Sequence, residues 1–264
     1  MRKKFGHALR LGLGAHAVAL VETGRWGREA TVLAELALDA GHALPAALTG
    51  ALADLFNAVQ RDGWPLTVVL ADELVRLWHV APPPDCSRMS DLEAAAALRF
   101  QQLYGEPAAD WQLSADWRAD QPFLAAALPR QLLGAIAQSA GAHGMPLIEV
   151  APQFLAQFNR WRARVSNGDW FGVAHDGVLT LGVCEGGAIV ALRAVAISAA
   201  PDAAWLSAHV AREALRLNLA APERLRLCGA LPPAWRAAPG CAVLGDAPAG
   251  WSPTALLALS GSAA

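Results

Sequence analysis

Two stretches of this chain repeat one order of elements, three short apolar runs and then a longer amphipathic one, and that repetition limits the folds open to it. In the first, residues 8–13 and 17–22 are apolar or alternating with β-branched content, and "EATVLAELALD" (29–39) continues them after a glycine turn at 24–27. Then "LPAALTGALADLFNAVQRDG" sets Leu48, Leu52, Leu55, Phe56 and Val59 on one helical stripe, ended by Gly63 and Pro65. The second stretch starts after the polar "SNGD" at 166–169. There "WFGVAHDG", "VLTLGVCEGG" and "AIVALRAVAIS" read as three strands joined by two tight glycine turns, with a helix over 201–219 behind them. A further strand follows each helix, so the two halves share an order of elements rather than a repeated sequence.

Between the halves, "PLTVVLADELVRLWHVAPPP" supplies two short strands broken near Ala71 and Asp72, and the prolines at 82–84 lead out of the core. "SDLEAAAALRFQQLYG" reads as a helix opened by a capping box of Ser90 and Glu93 and stopped by Gly105. "ADWQLSADW" and "QPFLAAALP" form a strand pair, 130–142 a helix, and "MPLIEVAP" a strand. "PQFLAQFNRWRARV" is an amphipathic helix with Phe154, Phe158 and Trp161 on one face. The expected division is a first lobe over 1–165, with a small α+β insertion at about 80–125, and a second, shorter lobe over 166–264. The latter ends in the short strands "RLRLCG" and "CAVLG" and an apolar tail, "SPTALLALSG".

Composition removes several kinds of chemistry. The chain is 55% hydrophobic and 17% charged with a net charge of −2, which gives a globular core and no basic face for nucleic acid. Lysine occurs only at Lys3 and Lys4. A Walker A loop and a pyridoxal Schiff base both need a lysine farther along, so both are excluded. Cys86, Cys184, Cys228 and Cys241 are too widely spaced for a zinc set and read as reduced thiols of a cytoplasmic protein. No apolar run reaches membrane-spanning length, since the best candidate, 178–200, carries Glu185 and Arg193. "MRKKFGHALR" before an apolar run has the outline of a secretory leader. Gly12, Gly14 and His16 interrupt that run, which favours a solvated tail; a third reading is weak attraction to an anionic membrane surface, at about 1 kcal/mol per basic residue near the headgroups.

The loop "LGLGAHAVALVET" carries Gly12, Gly14 and Ala17 at dinucleotide-turn spacing. A dinucleotide turn needs a helix to begin at its second glycine. The residues after Gly14 hold Val18 and Val21 and run only to Gly24, which suits the second strand of a hairpin; Asp39 alone matches the ribose-binding acid. A Rossmann-type NAD(P)-binding protein is therefore a minor alternative. A strand–turn–strand loop that cradles phosphate on backbone amides fits better.

The order of meander and helix in two lobes, the insertion, "LGLGAHAVALVET" and "VAHDGVLTLGVCEGGAIVALRAV" together resemble the actin-like ATPase superfamily. Within it the resemblance is to the PilM branch of type IV pilus assembly proteins and the cytoplasmic domain of GspL-type secretion proteins. It implies an α/β, two-lobed actin-like fold, a duplicated ribonuclease H-like unit with the insertion in the first lobe. In that family the first loop resembles Asp-x-Gly-Ser-x-x-Val-Lys; here Gly12 stands at the acid, Gly14 at the glycine, Ala15 at the hydroxyl and Ala19 at the lysine. The second loop carries Asp-x-Gly with a downstream Thr. This chain offers His175, Asp176 and Gly177 with Thr180, and its adenosine-side glycines reduce to Gly229. Gly12, Gly14, His16, His175, Asp176, Gly177, Thr180 and Gly229 thus mark a degenerate nucleotide cleft with no catalytic residue and no metal ligand. Losing the acid and phosphate donors forfeits orders of magnitude in rate, so a pseudo-ATPase is expected.

No cofactor is expected, with residual ATP binding on the amides of Gly14 and Gly177 as the alternative. An active ATPase or phosphotransferase on the same fold would need a carboxylate facing the cleft; Asp39, Glu149 and Asp176 are the stand-ins. By resemblance the partners are a PilN-like bitopic inner-membrane protein, bound through its cytoplasmic N-terminal peptide, and other pilus or secretion assembly proteins. The chain would then lie in the cytoplasm beside the inner membrane. His175 and Asp176, adjacent on a strand, read as a turn pair rather than a base and its orienter, and His16 as a loop histidine rather than a ligand with His7. Ser260 lies in no nucleophile motif. Trp111, Trp117, Trp161 and Trp170 read as core or lobe interface, and Arg160, Arg162 and Arg164 as a solvated face.

Overall fold

The computed structural model describes residues 7–24, 29–38, 44–86, 88–198, 201–245 and 247–260; the turn expected at 24–27 and Asp39 fall wholly or largely outside them. β1 (Ala8–Leu13) and β2 (Ala17–Thr23) form an antiparallel hairpin to which β3 (Ala30–Ala37) adds. α1 (Leu44–Val59) buries Leu48, Leu52, Leu55 and Phe56 in one core with Leu9, Leu11 and Leu13 of β1. β4 (Leu66–Leu70) returns parallel to β1. β5 (Arg76–Val80), α2 (Met89–Tyr104), β6 (Trp111–Ala115) and β7 (Phe123–Pro129) follow, then α3 (Arg130–Ala142), β8 (Leu147–Pro152) and α4 (Gln153–Trp161). The second half contains β9 (Trp170–His175), β10 (Val178–Glu185), β11 (Ala188–Ala196), α5 (Ala203–Arg216), β12 (Leu225–Gly229), β13 (Cys241–Val243) and α6 (Pro253–Ala258).

The strands form two five-stranded sheets of one topology, β3-β2-β1-β4-β8 and β11-β10-β9-β12-β13, and a three-stranded antiparallel sheet, β5-β7-β6. In each large sheet the first meander strand is central and takes a parallel strand on its far side, as β1 takes β4 and β9 takes β12. Hydrophobic periodicity sets this up, because the leucines and valines of the central strands are buried while the edge strand β3 alternates. The small sheet buries Trp78, Trp111 and Phe123 with Phe100 of α2 in a separate core.

Helix α2 differs from its expected start. It begins at Met89 with Arg88 as its N-cap, so Ser90 is already helical and cannot cap; Gly105 closes it at φ +68°. The larger difference concerns the tail. The sequence pattern groups 166–264 as the second lobe, yet α6 packs on β1, β2 and β4 of the first sheet. Small residues make this possible. A Cβ at Gly12 would stand 2.3 Å from the Thr254 carbonyl oxygen and 2.7 Å from the Ala258 amide nitrogen, both backbone atoms. α4 crosses the other way: Phe154 and Phe158 pack edge-on against Phe171 of β9 at 5.5 and 5.7 Å between ring centroids.

Because backbone, not a flexible side chain, occupies the space above Gly12, Gly12→Ala is expected to lose about 1–3 kcal/mol of stability in urea unfolding, as overpacked cores do. Unchanged stability would show that α6 does not approach β1 this closely.

Candidate functional site

The two hairpin bends that would grip phosphate meet between the lobes. In the first, Gly14 donates its amide to the Ala17 carbonyl at 3.0 Å, and the His16 carbonyl accepts from the Leu38 amide at 2.8 Å. The His16 residue itself is exposed. The next amide, of Ala15, is already engaged, donating to Glu73 Oε1 at 3.4 Å. In the second, Asp176 and Gly177 are the two central residues of a tight turn, at φ +39° and +80°, and both are exposed. His175, at the end of β9, is buried and points at the first bend: a Cβ on Gly14 would lie 3.1 Å from its Nε2. Neither ring nitrogen makes a hydrogen bond of good geometry. Burial holds the imidazole below its usual protonation range, against the opposing pull of Glu73, Asp176 and the Pro253 carbonyl.

The acids at this junction come from a single 3₁₀ turn, Asp72–Leu74, directly after β4. Asp72 Oδ1 accepts from the Phe154 amide at 2.9 Å and so caps α4, whose own N-cap, Pro152, supplies no side-chain cap. Burial raises the Asp72 carboxyl from 3.8 to about 7, and Glu73 beside it pushes the same way; the Phe154 amide and the nearby Thr180 hydroxyl oppose the shift. Thr180 is 1% exposed and its Oγ1 makes no hydrogen bond of good geometry, and Glu73 Oε2 is likewise buried without a partner.

Among the described residues the carboxylates that line the cleft are Asp72 and Glu73 at its base and Glu106 on its wall, none of them a stand-in expected from sequence. Glu149 is exposed on the edge strand β8, Asp176 is turned out at its bend, and Asp39 lies outside the described residues. The available signal was the polar pair that interrupts "LADELV" between two apolar strands. Gly229 is a packing glycine: at φ +91°, its Cβ would be 2.3 Å from the Ala174 carbonyl oxygen. The cavity beside it, lined by Arg160, Trp161 and Arg236, holds about 80 Å³, well below the roughly 300–1,000 Å³ of small-molecule sites. Gly12 lies under α6.

Of the remaining candidates, His7 pairs with Glu22 at 3.0 Å, and Ser260 accepts from Gln157 Nε2 at 2.8 Å in the buried seam between α4 and α6. Trp111 and Trp170 are buried, and Arg160, Arg162 and Arg164 are exposed. All four cysteines are free; burial pushes the Cys184 thiol to about 12 and the Cys228 thiol higher still, so neither is a nucleophile. Among the described residues no three His, Cys, Asp or Glu side chains gather around a metal position, and no helix is long and apolar enough to cross a membrane.

No family model matches the chain, and no curated protein does. Solved structures do. The PilM–PilN type IV pilus biogenesis complex aligns at a TM-score of 0.63 and 16% identity, covering 96% of this chain and 96% of the other. The cytoplasmic domain of EpsL, an inner-membrane component of the type II secretion system of Vibrio cholerae, aligns at 0.59 and 16%, covering 96% and 94%. A Bacteroides thetaiotaomicron protein of unknown function with an actin-like ATPase fold aligns at 0.58 and 10%, covering 88% and 87%. With three long alignments and the same two-lobed pattern of paired sheets, the chain has the actin-like ATPase fold, in a form similar to the PilM and EpsL structures.

Proposed function

We propose that this chain is a catalytically silent actin-like scaffold of a type IV pilus or type II secretion-like assembly machine. It would hold the cytoplasmic N-terminal peptide of a PilN-like bitopic inner-membrane protein and so lie on the cytoplasmic face of that membrane. The observation that carries the silent part is the Ala15 amide: the bend that would offer it to phosphate gives it to Glu73 instead. A triphosphate placed there would meet Glu73 where it needs an amide donor, while Asp72 and Glu73 are the carboxylates on which the competing ATPase or phosphotransferase reading would rest. Gly12 cannot be restored to an acid without displacing α6. The assembly part is supported by full-length likeness to PilM, solved with PilN, and to the cytoplasmic domain of EpsL.

Two measurements test this reading. Millimolar Mg-ATP is expected to leave the melting temperature unchanged and to be hydrolysed no faster than buffer; a saturable upward shift or turnover would overturn the silent assignment. Synthetic N-terminal peptides of the bitopic membrane proteins encoded beside this chain are expected to bind at micromolar concentration. No binding by any of them at several hundred micromolar would overturn the scaffold assignment.

The acidic turn also makes stability depend on pH. The Asp72 carboxyl titrates near 7 in the folded chain and near 3.8 when unfolded. As pH rises from about 4 to 7, the unfolded chain releases a proton that the folded chain keeps, so this group's share of stability falls through that window and is flat above it. Asn keeps the acceptor for the Phe154 amide and has no proton to lose. Asp72→Asn is therefore expected to raise the melting temperature relative to the parent chain more at pH 8 than at pH 5, and an equal difference at both would refute the shift.

A further inference from the structure

A cleft of about 980 Å³ separates β5 and α2 from β10 and β11. Asp72, Glu73 and Thr180 lie along one side, and there Glu73 Oε2 is buried with no hydrogen-bond partner while the Thr180 hydroxyl faces the Asp72 carboxyl. A buried carboxylate oxygen without a donor costs free energy that a cationic donor recovers. The arginines of the walls are already engaged. Arg76 bonds Glu106 at 3.2 Å and lies over Tyr104 and Trp111; Arg193 pairs with Glu213 at 3.7 Å, and Arg99 with Gln102 at 3.5 Å.

The long wall is β11, the edge strand of the second sheet, which faces the cleft over residues 190–196, roughly 20 Å of strand. Every second residue of an edge strand turns its amide and carbonyl away from the sheet, a ready template for one more strand. His79 Nε2 donates to the Ile189 carbonyl at 2.7 Å and closes one end. A strand edge along one wall and an unpaired carboxylate oxygen at the base fit an extended occupant that places one cationic side chain on Glu73; a phosphate at that point would meet the carboxylate.

We infer that this cleft takes an extended peptide segment as an added strand on β11, with a lysine or arginine side chain of that segment seated on Glu73 and Thr180. The inference deepens the scaffold reading by naming how a partner segment is recognised, and depends on it only for the source of that segment. The probe is the blocked pentapeptide acetyl-Thr-Val-Arg-Val-Thr-amide, titrated into the full chain and followed by amide chemical shifts. It is expected to move the Ala15, Thr180 and Leu192 amides. Replacing its arginine by neutral citrulline should weaken binding at least tenfold, as should N-methylation of its valine amides. Glu73→Gln, which keeps an acceptor for Ala15, should remove the difference between the arginine and citrulline peptides. No shift at 5 mM, equal affinity for arginine and citrulline, or indifference to N-methylation would each overturn it. If the pentapeptide binds as described and the membrane-protein peptides do not, the cleft chemistry stands and the assigned partner falls; the opposite result overturns the cleft and leaves the scaffold.

Discussion

The rest of the structure depends on the contact of α6 with β1, and that contact exists because position 12 carries no side chain. With a Cβ there, the Thr254 carbonyl and the Ala258 amide would both have to move, and with them the helix. Once seated, α6 makes several attachments possible. Its N-cap Ser252 accepts from the Ala255 amide at 3.0 Å and donates to Glu35 on β3 at 2.8 Å. Its C-terminal end meets α4, where Gln157 bonds Ser260 and Arg160 donates to the Leu259 carbonyl at 2.6 Å. Its first residue sets the Pro253 carbonyl beside His175. A chain segment about 240 positions from β1 thus lies against β1 and beside His175, which faces the bend that follows β1.

The electrostatics follow from that packing. His175 is kept neutral by burial, so it adds no positive charge to the junction, and Glu73 spends one oxygen on a backbone amide while the other stays unpaired. Asp72 stays in place because it caps a helix whose first residues follow a proline. The two acids of this turn are therefore both engaged by backbone amides, Glu73 holding a bend and Asp72 a helix end.

Strands, helices and the doubled meander were legible because each is written in a local period: Leu9, Leu11 and Leu13 alternate, and Leu48, Leu52 and Leu55 recur at helical spacing. The turn at Asp176 and Gly177 was legible for the same reason, since two left-handed residues in a row favour that pair. What escaped was long range. Ala15 and Glu73 are 58 residues apart, Asp72 and Phe154 are 82 apart, and Gly12 reads as a loop glycine until the tail helix is seen above it. The capping box at Ser90 failed on a local point: the helix starts two residues earlier than the motif requires, at Met89 rather than Asp91.

The two halves hold each other by an exchange. The helix that closes the first half, α4, sends Phe154 and Phe158 into the second sheet, and Gly182 on β10 leaves the space, since a Cβ there would be 2.5 Å from the Phe154 ring. The helix that closes the second half, α6, lies on the first sheet over Gly12. Each sheet thus contributes one glycine to receive the other half's terminal helix, a reciprocity expected of a duplicated unit and absent from a simple tandem. Buried phenylalanines contribute about 1.5–3 kcal/mol each, so the packing of Phe154, Phe158 and Phe171 holds the lobes together. A bound ligand is one way to set the angle between two lobes. Here the crossed helices also bear on it, since each fixes one lobe against the other beside the cleft between β5 and β11.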